Sequence, residues 1–208
     1  MSTKKQHISR LVYVVGVITL VLFLGELHRV NFQISKLWPS LANELIGVGI
    51  ELLVILLFFE FWQYRRNKKK TARLEHRLRE YIIFFFRGTS HMLNGHSLGR
   101  FYVEDHPTNI KKLDEIKKFI ETKKFSQGEQ AELKKHCEIE IMAVQNLLSV
   151  ASRVSDEHFK RWCRIAYFIS CIYNDDSADI SATLAKLIDN IKKFDVASQK
   201  EQLFYHSY

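Results

Sequence analysis

Two apolar runs lie close together near the start of the chain, and four stretches with helical apolar spacing follow further on. The first run, LVYVVGVITLVLFLG, covers residues 11–25, and the second, LANELIGVGIELLVILLFFEFW, covers residues 41–62. About 20 predominantly apolar residues are enough for a helix to cross a bilayer. The pattern predicts a short segment 1–7, a first membrane helix over 8–27, a loop over 28–40 and a second membrane helix over 41–62. The first run begins like a signal peptide, but Leu24-Gly25-Glu26-Leu27 lacks a small-x-small cleavage pattern, so an uncleaved span is expected. Trp38 and Pro39 suit an interfacial helix start, and Trp62 and Tyr64 mark the opposite boundary.

The second run does not end in a turn. It passes through QYRRNKKKTARLEHRLR into YIIFFF at residues 81–86 with no proline on the way. Thr71, Leu74, Leu78, Tyr81, Phe85 and Met92 keep three-four-seven spacing, which predicts a basic juxtamembrane helix or neck over 63–94. Leu74, Leu78, Tyr81 and Phe85 are the expected seam of a coiled-coil-like homo-oligomer. YIIFFF is apolar all round and is expected inside the distal bundle rather than dipping into the bilayer surface. Asn94-Gly95 is the expected helix stop, and residues 95–108 form a connector.

Residues 109–208 predict a cytoplasmic helical bundle. Ile110, Leu113, Ile116, Phe119 and Ile120 share one side of a helix over 109–123. Ser126 and Glu129 are spaced as a capping box for a helix over 127–152, with Leu133, Cys137, Ile141, Val144, Leu148 and Ala151 inward. Ser155 can cap a third helix whose expected stripe is Phe159, Trp162, Cys163, Ala166, Ile169 and Tyr173. A fourth, over 178–194, repeats Ile180, Leu184, Leu187, Ile191 and Phe194. The expected fold class is therefore an all-α membrane protein: a two-helix transmembrane hairpin followed by a cytoplasmic helical bundle. That order of parts resembles an architecture common among bacterial membrane proteins. The likeness brings no site residues, and it makes the bacterial inner (cytoplasmic) membrane the expected location.

Charge changes the reading of partners. The net charge of +8 would suit a nucleic-acid binder, but residues 65–79 hold eight Lys/Arg against one Glu, whereas residues 80–208 hold 18 of each sign. The excess is a collar of Arg65, Arg66, Lys68, Lys69, Lys70, Arg73, Arg77 and Arg79 beside the second span. By the positive-inside rule this collar puts both termini in the cytoplasm, and it suits anionic lipid headgroups better than nucleic acid. Self-association or a protein partner is expected besides. Cys137, Cys163 and Cys171 are odd in number and form no CxxC pair, which favours buried thiols over disulfides or zinc.

Candidate chemistry is sparse. Glu51 lies almost midway along the second span, with Glu44 seven residues earlier on the same face and Gly47 between them. A carboxylate at that depth is costly unless it faces protein or water. Two roles fit: helix–helix assembly, with Gly16 and Thr19 of the first span as a close-packing face, or an ion path in a small oligomeric channel or transporter. Assembly is the preferred role, because two spans are too few to enclose a path. Glu60 can pair with nearby basic residues. In the connector and just before it, His91, His96, Asp105 and His106 could bind a ligand, but their spacing fits no metal motif, and no metal or cofactor is expected. GHSLG around Ser97 lacks the strand-turn-helix setting of a nucleophile elbow. The expected function is a membrane-anchored assembly or partner-binding module, not an enzyme. The channel is the first alternative, and an enzyme or metal site in the connector the second.

Overall fold

A computed structural model describes residues 38–93, 101, 106–174 and 179–203, together with Gly16 and Gly25, both helical. Six helices are described: α1 (Trp38–Gly88), α2 (His106–Thr122), α3 (Gln127–Asn146), α4 (Leu148–Val154), α5 (Asp156–Asn174) and α6 (Ile180–Lys200). The chain divides into two compact units, Met1–Arg66 and Asn67–Tyr208.

α1 starts with Pro39 in its first turn, where a missing amide hydrogen costs nothing, and runs for 51 residues. No glycine or proline interrupts it between Glu51 and Arg87. In the first unit its large apolar side chains face outward on every side. Val54, Ile55, Phe58 and Phe61 are each more than half exposed, the all-round pattern of a helix made for lipid or for burial. Among the described residues, this is the one helix long and apolar enough to cross a membrane.

The expected hairpin followed by a separate bundle is thereby overturned. One membrane-competent helix is described instead of two, and its C-terminal part is a core element of the bundle rather than a neck ahead of it. The first expected span lies outside the described residues except at Gly16 and Gly25. Leu78 and Phe85 are buried, and Leu74 and Tyr81 pack against the same core. The expected dimer seam is thus occupied by this chain's own helices. YIIFFF is inside the bundle as its apolarity requires, apart from Phe84, which points outward at 57% exposure.

In the second unit, α6 packs on α5 and α2, while α3 and α4 pack on α5. Trp162 is fully buried, its ring 6.2 Å from Tyr81 and 6.1 Å from Phe194. Its indole N–H donates to the Val144 carbonyl at 2.9 Å. A continuous helix would commit that carbonyl to the Leu148 amide, and the expected single helix over 127–152 breaks at Leu147 into α3 and α4. The capping box at the start of α3 is present in both directions: the Glu129 amide donates to Ser126 Oγ at 3.3 Å, and the Ser126 amide donates to Glu129 Oε2 at 2.9 Å. α2 and α6 are tied at the surface by Lys117–Asp189 at 2.9 Å and Lys192–Asp114 at 2.5 Å. The α5 stripe is rotated from expectation. His158, Ile165 and Ile172 are buried with Trp162, Ala166 and Ile169, whereas Phe159 and Tyr173 are exposed.

Candidate functional site

The inward face of α1 carries charge into the bundle. Glu75 and Arg79 are four residues apart and so share a helix face with Leu78 and Ile82, which draw it into the core. Both charged residues are 2% exposed, and a buried charge is tolerated only when paired and hydrogen-bonded. Arg79 meets that condition with its whole fork. Nε and Nη2 donate to Glu75 Oε1 at 2.9 and 2.6 Å, while Nη1 donates to Asp195 Oδ1 of α6 and, at 3.4 Å, to the Phe101 carbonyl. The Phe101 and Phe194 rings lie 4.5 and 5.7 Å from the guanidinium carbon, adding cation–π attraction in a dry setting.

From Glu75 the network runs to α5. Ser198 donates its hydroxyl hydrogen to Glu75 Oε1 at 2.6 Å, so its oxygen is free to accept from His158 Nε2 at 3.0 Å. That fixes the tautomer: Nε2 carries the hydrogen, and Nδ1 accepts from the Ser155 hydroxyl at 2.8 Å. Burial pushes the His158 imidazole down to about 4; the Glu75 carboxylate opposes the shift and the Arg79 charge adds to it. His158 is therefore neutral at physiological pH. From Asp195 the network runs to α2, because Oδ2 accepts from His106 Nδ1 at 2.5 Å and Oδ1 from Asn109 Nδ2 at 3.2 Å. Four helices, α1, α2, α5 and α6, are joined through two carboxylates and one guanidinium.

Chemically this is a clamp. Ser198 and His158 are adjacent as in a nucleophile–base pair, yet both are fully buried and the serine hydrogen goes to Glu75. A second knot closes the bundle's other side. The Lys123 ammonium donates to the Met92 carbonyl, pairs with Glu129 at 2.6 Å, and lies 5.0 Å from the Phe125 ring centre. This lysine, with two bonds from Ser126, holds the Glu129 carboxyl down at about 2.

No family model matches this sequence, and no curated protein or solved structure is similar to it.

The sequence-selected residues scatter. Glu44, Gly47 and Glu51 are exposed on α1, and a Cβ added at Gly47 or Gly16 would meet only open space. Thr19 lies outside the described residues, as do His96 and Asp105. His91 pairs with Glu132 at 3.0 Å on the surface, whereas His106 serves the buried network, so these two histidines do not converge on one site. Among the described residues, no group of three or more His, Cys, Asp or Glu is placed to hold a metal ion.

The basic collar splits. Arg79 is a core residue. Arg65 and Arg66 fold back over the Phe61 and Trp62 rings at 4.8 and 5.5 Å, and Lys68 donates to Gln202 at 3.2 Å. Lys69, Lys70, Arg73 and Arg77 are exposed. The clamp itself went unread in the sequence, although Glu75, Leu78, Arg79 and Ile82 at three-four spacing put both charges on the apolar face.

Proposed function

We propose that this protein is a membrane-anchored helical module that acts by binding, to itself or to a protein partner, rather than by catalysis. The observation that carries the reading is the continuity of α1, whose apolar turns pass without a break into the core of the bundle. The bundle half of this helix is held by hydrogen bonds and ion pairs that join four helices. The polar interior supports a binding role too, because its charged groups are spent on one another and on backbone. The basic residues after Tyr64 favour a bundle on the cytoplasmic side, as in a bacterial inner-membrane protein. Where α1 meets α3, through Tyr81–Glu140 and Phe85–His136, the outward side chains Phe84, Ile139 and Met142 are 57%, 65% and 64% exposed. Apolar side chains of this kind supply contact area at interfaces.

The test uses the full chain in native membranes. Alkaline carbonate should leave it in the membrane pellet, and a photo-crosslinker at position 84, 139 or 142 should trap one discrete species of defined mass. Release by carbonate would rule out the anchor. Retention with no discrete adduct from any of the three positions would rule out binding through this face.

A further inference from the structure

The outward face of α1 carries a cationic stripe directly opposite its buried face. Residues on an α-helix advance by about 100° each, so Lys70, Arg73 and Arg77, at i, i+3 and i+7, line up, with Lys69 beside them. All four are exposed, while Glu75, Leu78, Arg79 and Ile82 fill the opposite side. The single carboxylate of this stretch, Glu75, is turned inward and neutralised by Arg79. The next acid along the helix, Glu80, is engaged by His76 at 3.3 Å. Among the described residues, no carboxylate stands within ion-pair distance of Lys70, Arg73 or Arg77. Between Asn67 and Arg79 the fold thus turns the acid inward together with Arg79 and leaves Lys69, Lys70, Arg73 and Arg77 outside.

We infer that this stripe is a binding surface for the phosphates of anionic lipid headgroups. The inference rests on the anchored reading above. The aromatic pair Trp62 and Tyr64 ends the apolar part of the same helix, so the stripe begins where a headgroup layer would begin. Lys70 lies about 9 Å along the axis from Tyr64, Arg73 about 14 Å and Arg77 roughly 20 Å, at 1.5 Å per residue. The headgroup region is only about 5–8 Å deep on each side, and the surface potential decays over a Debye length of about 8–10 Å beyond it. The backbones of Lys70 and Arg73 lie just beyond that layer but within about a Debye length of it, so their long side chains can lean back toward the phosphates, the arginine with a fork that matches two phosphate oxygens, while Arg77 feels only the tail of the field. Between positions 66 and 77 the helix carries no Phe, Tyr or Trp for base stacking, which disfavours single-stranded nucleic acid as the occupant.

Native mass spectrometry of the full chain in neutral detergent tests this, with equal amounts of phosphatidylglycerol and phosphatidylcholine added. Phosphatidylglycerol should be retained preferentially, and the preference should collapse as salt is raised, a result that needs no variant. Lys70→Gln and Arg73→Gln should each weaken phosphatidylglycerol retention about fivefold, Arg77→Gln less than twofold, and Lys193→Gln, at an exposed position of α6, not at all. Equal retention of the two lipids, or Lys193→Gln matching Arg73→Gln, would overturn the inference. So would an RNA oligonucleotide that displaces phosphatidylglycerol from the stripe at lower concentration than free lipid does. A chain that stays in carbonate-washed membranes but shows lipid parity loses only this inference. A chain washed out loses the anchor as well.

Discussion

Among the described residues, Arg79 is the one cation bonded to both Glu75 and Asp195, and its removal leaves two buried carboxylates without their guanidinium partner. Breaking a buried pair from one side costs about 3–5 kcal/mol, far more than an intact pair contributes. Arg79→Ala should lower the unfolding free energy of the bundle by about that amount in a urea titration. Arg79→Lys should recover only a minor part, because one ammonium cannot reach Glu75, Asp195 and the Phe101 carbonyl as the guanidinium fork does. A lysine variant as stable as the parent would show that charge alone, not geometry, matters here. His158 gives a pH signature. Its folded value of about 4 lies below the ordinary 6.5, so between those values the unfolded chain binds a proton that the folded chain refuses. The histidine's contribution is therefore complete above about pH 6.5 and is lost progressively as pH falls to about 4, a change of roughly 3 kcal/mol. The stability difference between the parent and His158→Gln should shrink across that window and be flat above it; a constant difference would mean that the imidazole is already charged in the fold.

At the scale of elements, the α1–α3 contact is set by one missing side chain. Gly88 closes α1 against His136, whose Nε2 lies 3.1 Å from the Phe85 carbonyl and whose ring centre lies 5.0 Å from that of Phe85. A Cβ at position 88 would overlap the imidazole Cε1 and come within 3.0 Å of Nε2. Alanine in a helix is ordinarily better than glycine by about 1 kcal/mol, while overpacking costs about 1–3 kcal/mol. Gly88→Ala should therefore destabilise the parent, yet become neutral or stabilising in a His136→Ala background, a sign change that a double-mutant cycle reads directly. A like-signed effect in both backgrounds would place the cause in the helix end rather than in the ring. The helices themselves were legible because their signals are local: the Ser126–Glu129 box starts α3, and Ile180, Leu184, Leu187, Ile191 and Phe194 bury α6 as their spacing demands. What escaped is what depends on distant partners. Trp162 binds the Val144 carbonyl at the break between α3 and α4, and His158 turns inward in place of Phe159 because Ser198, 40 residues away, receives its hydrogen. Arg79 reads as one more base in a basic run until Asp195 is brought beside it.

For the whole molecule, the decisive distinction is whether α1 is a stalk that carries the bundle or part of the bundle itself. The boundary between the two compact units falls inside this helix, after Arg66, and not at its end. Everything that makes residues 67–88 indispensable lies beyond that boundary: Leu78, Ile82, Phe85 and Phe86 are at most 3% exposed, and Arg79 closes the clamp. Burying each large apolar side chain contributes about 1.5–3 kcal/mol, so these four together are comparable to the 5–15 kcal/mol by which a domain is usually stable. Two truncations then have opposite outcomes. A fragment of residues 67–208 keeps the core and the clamp while shedding the outward-facing apolar turns. It should be soluble without detergent and should unfold in one cooperative thermal transition followed by circular dichroism. A fragment of residues 89–208 retains all of α2 to α6 but exposes the floor on which they rest, and should show no cooperative transition. Cooperative unfolding of the shorter fragment would restore α1 to the role of a neck. Failure of the longer one would mean that residues 67–208 do not contain everything the bundle needs to fold.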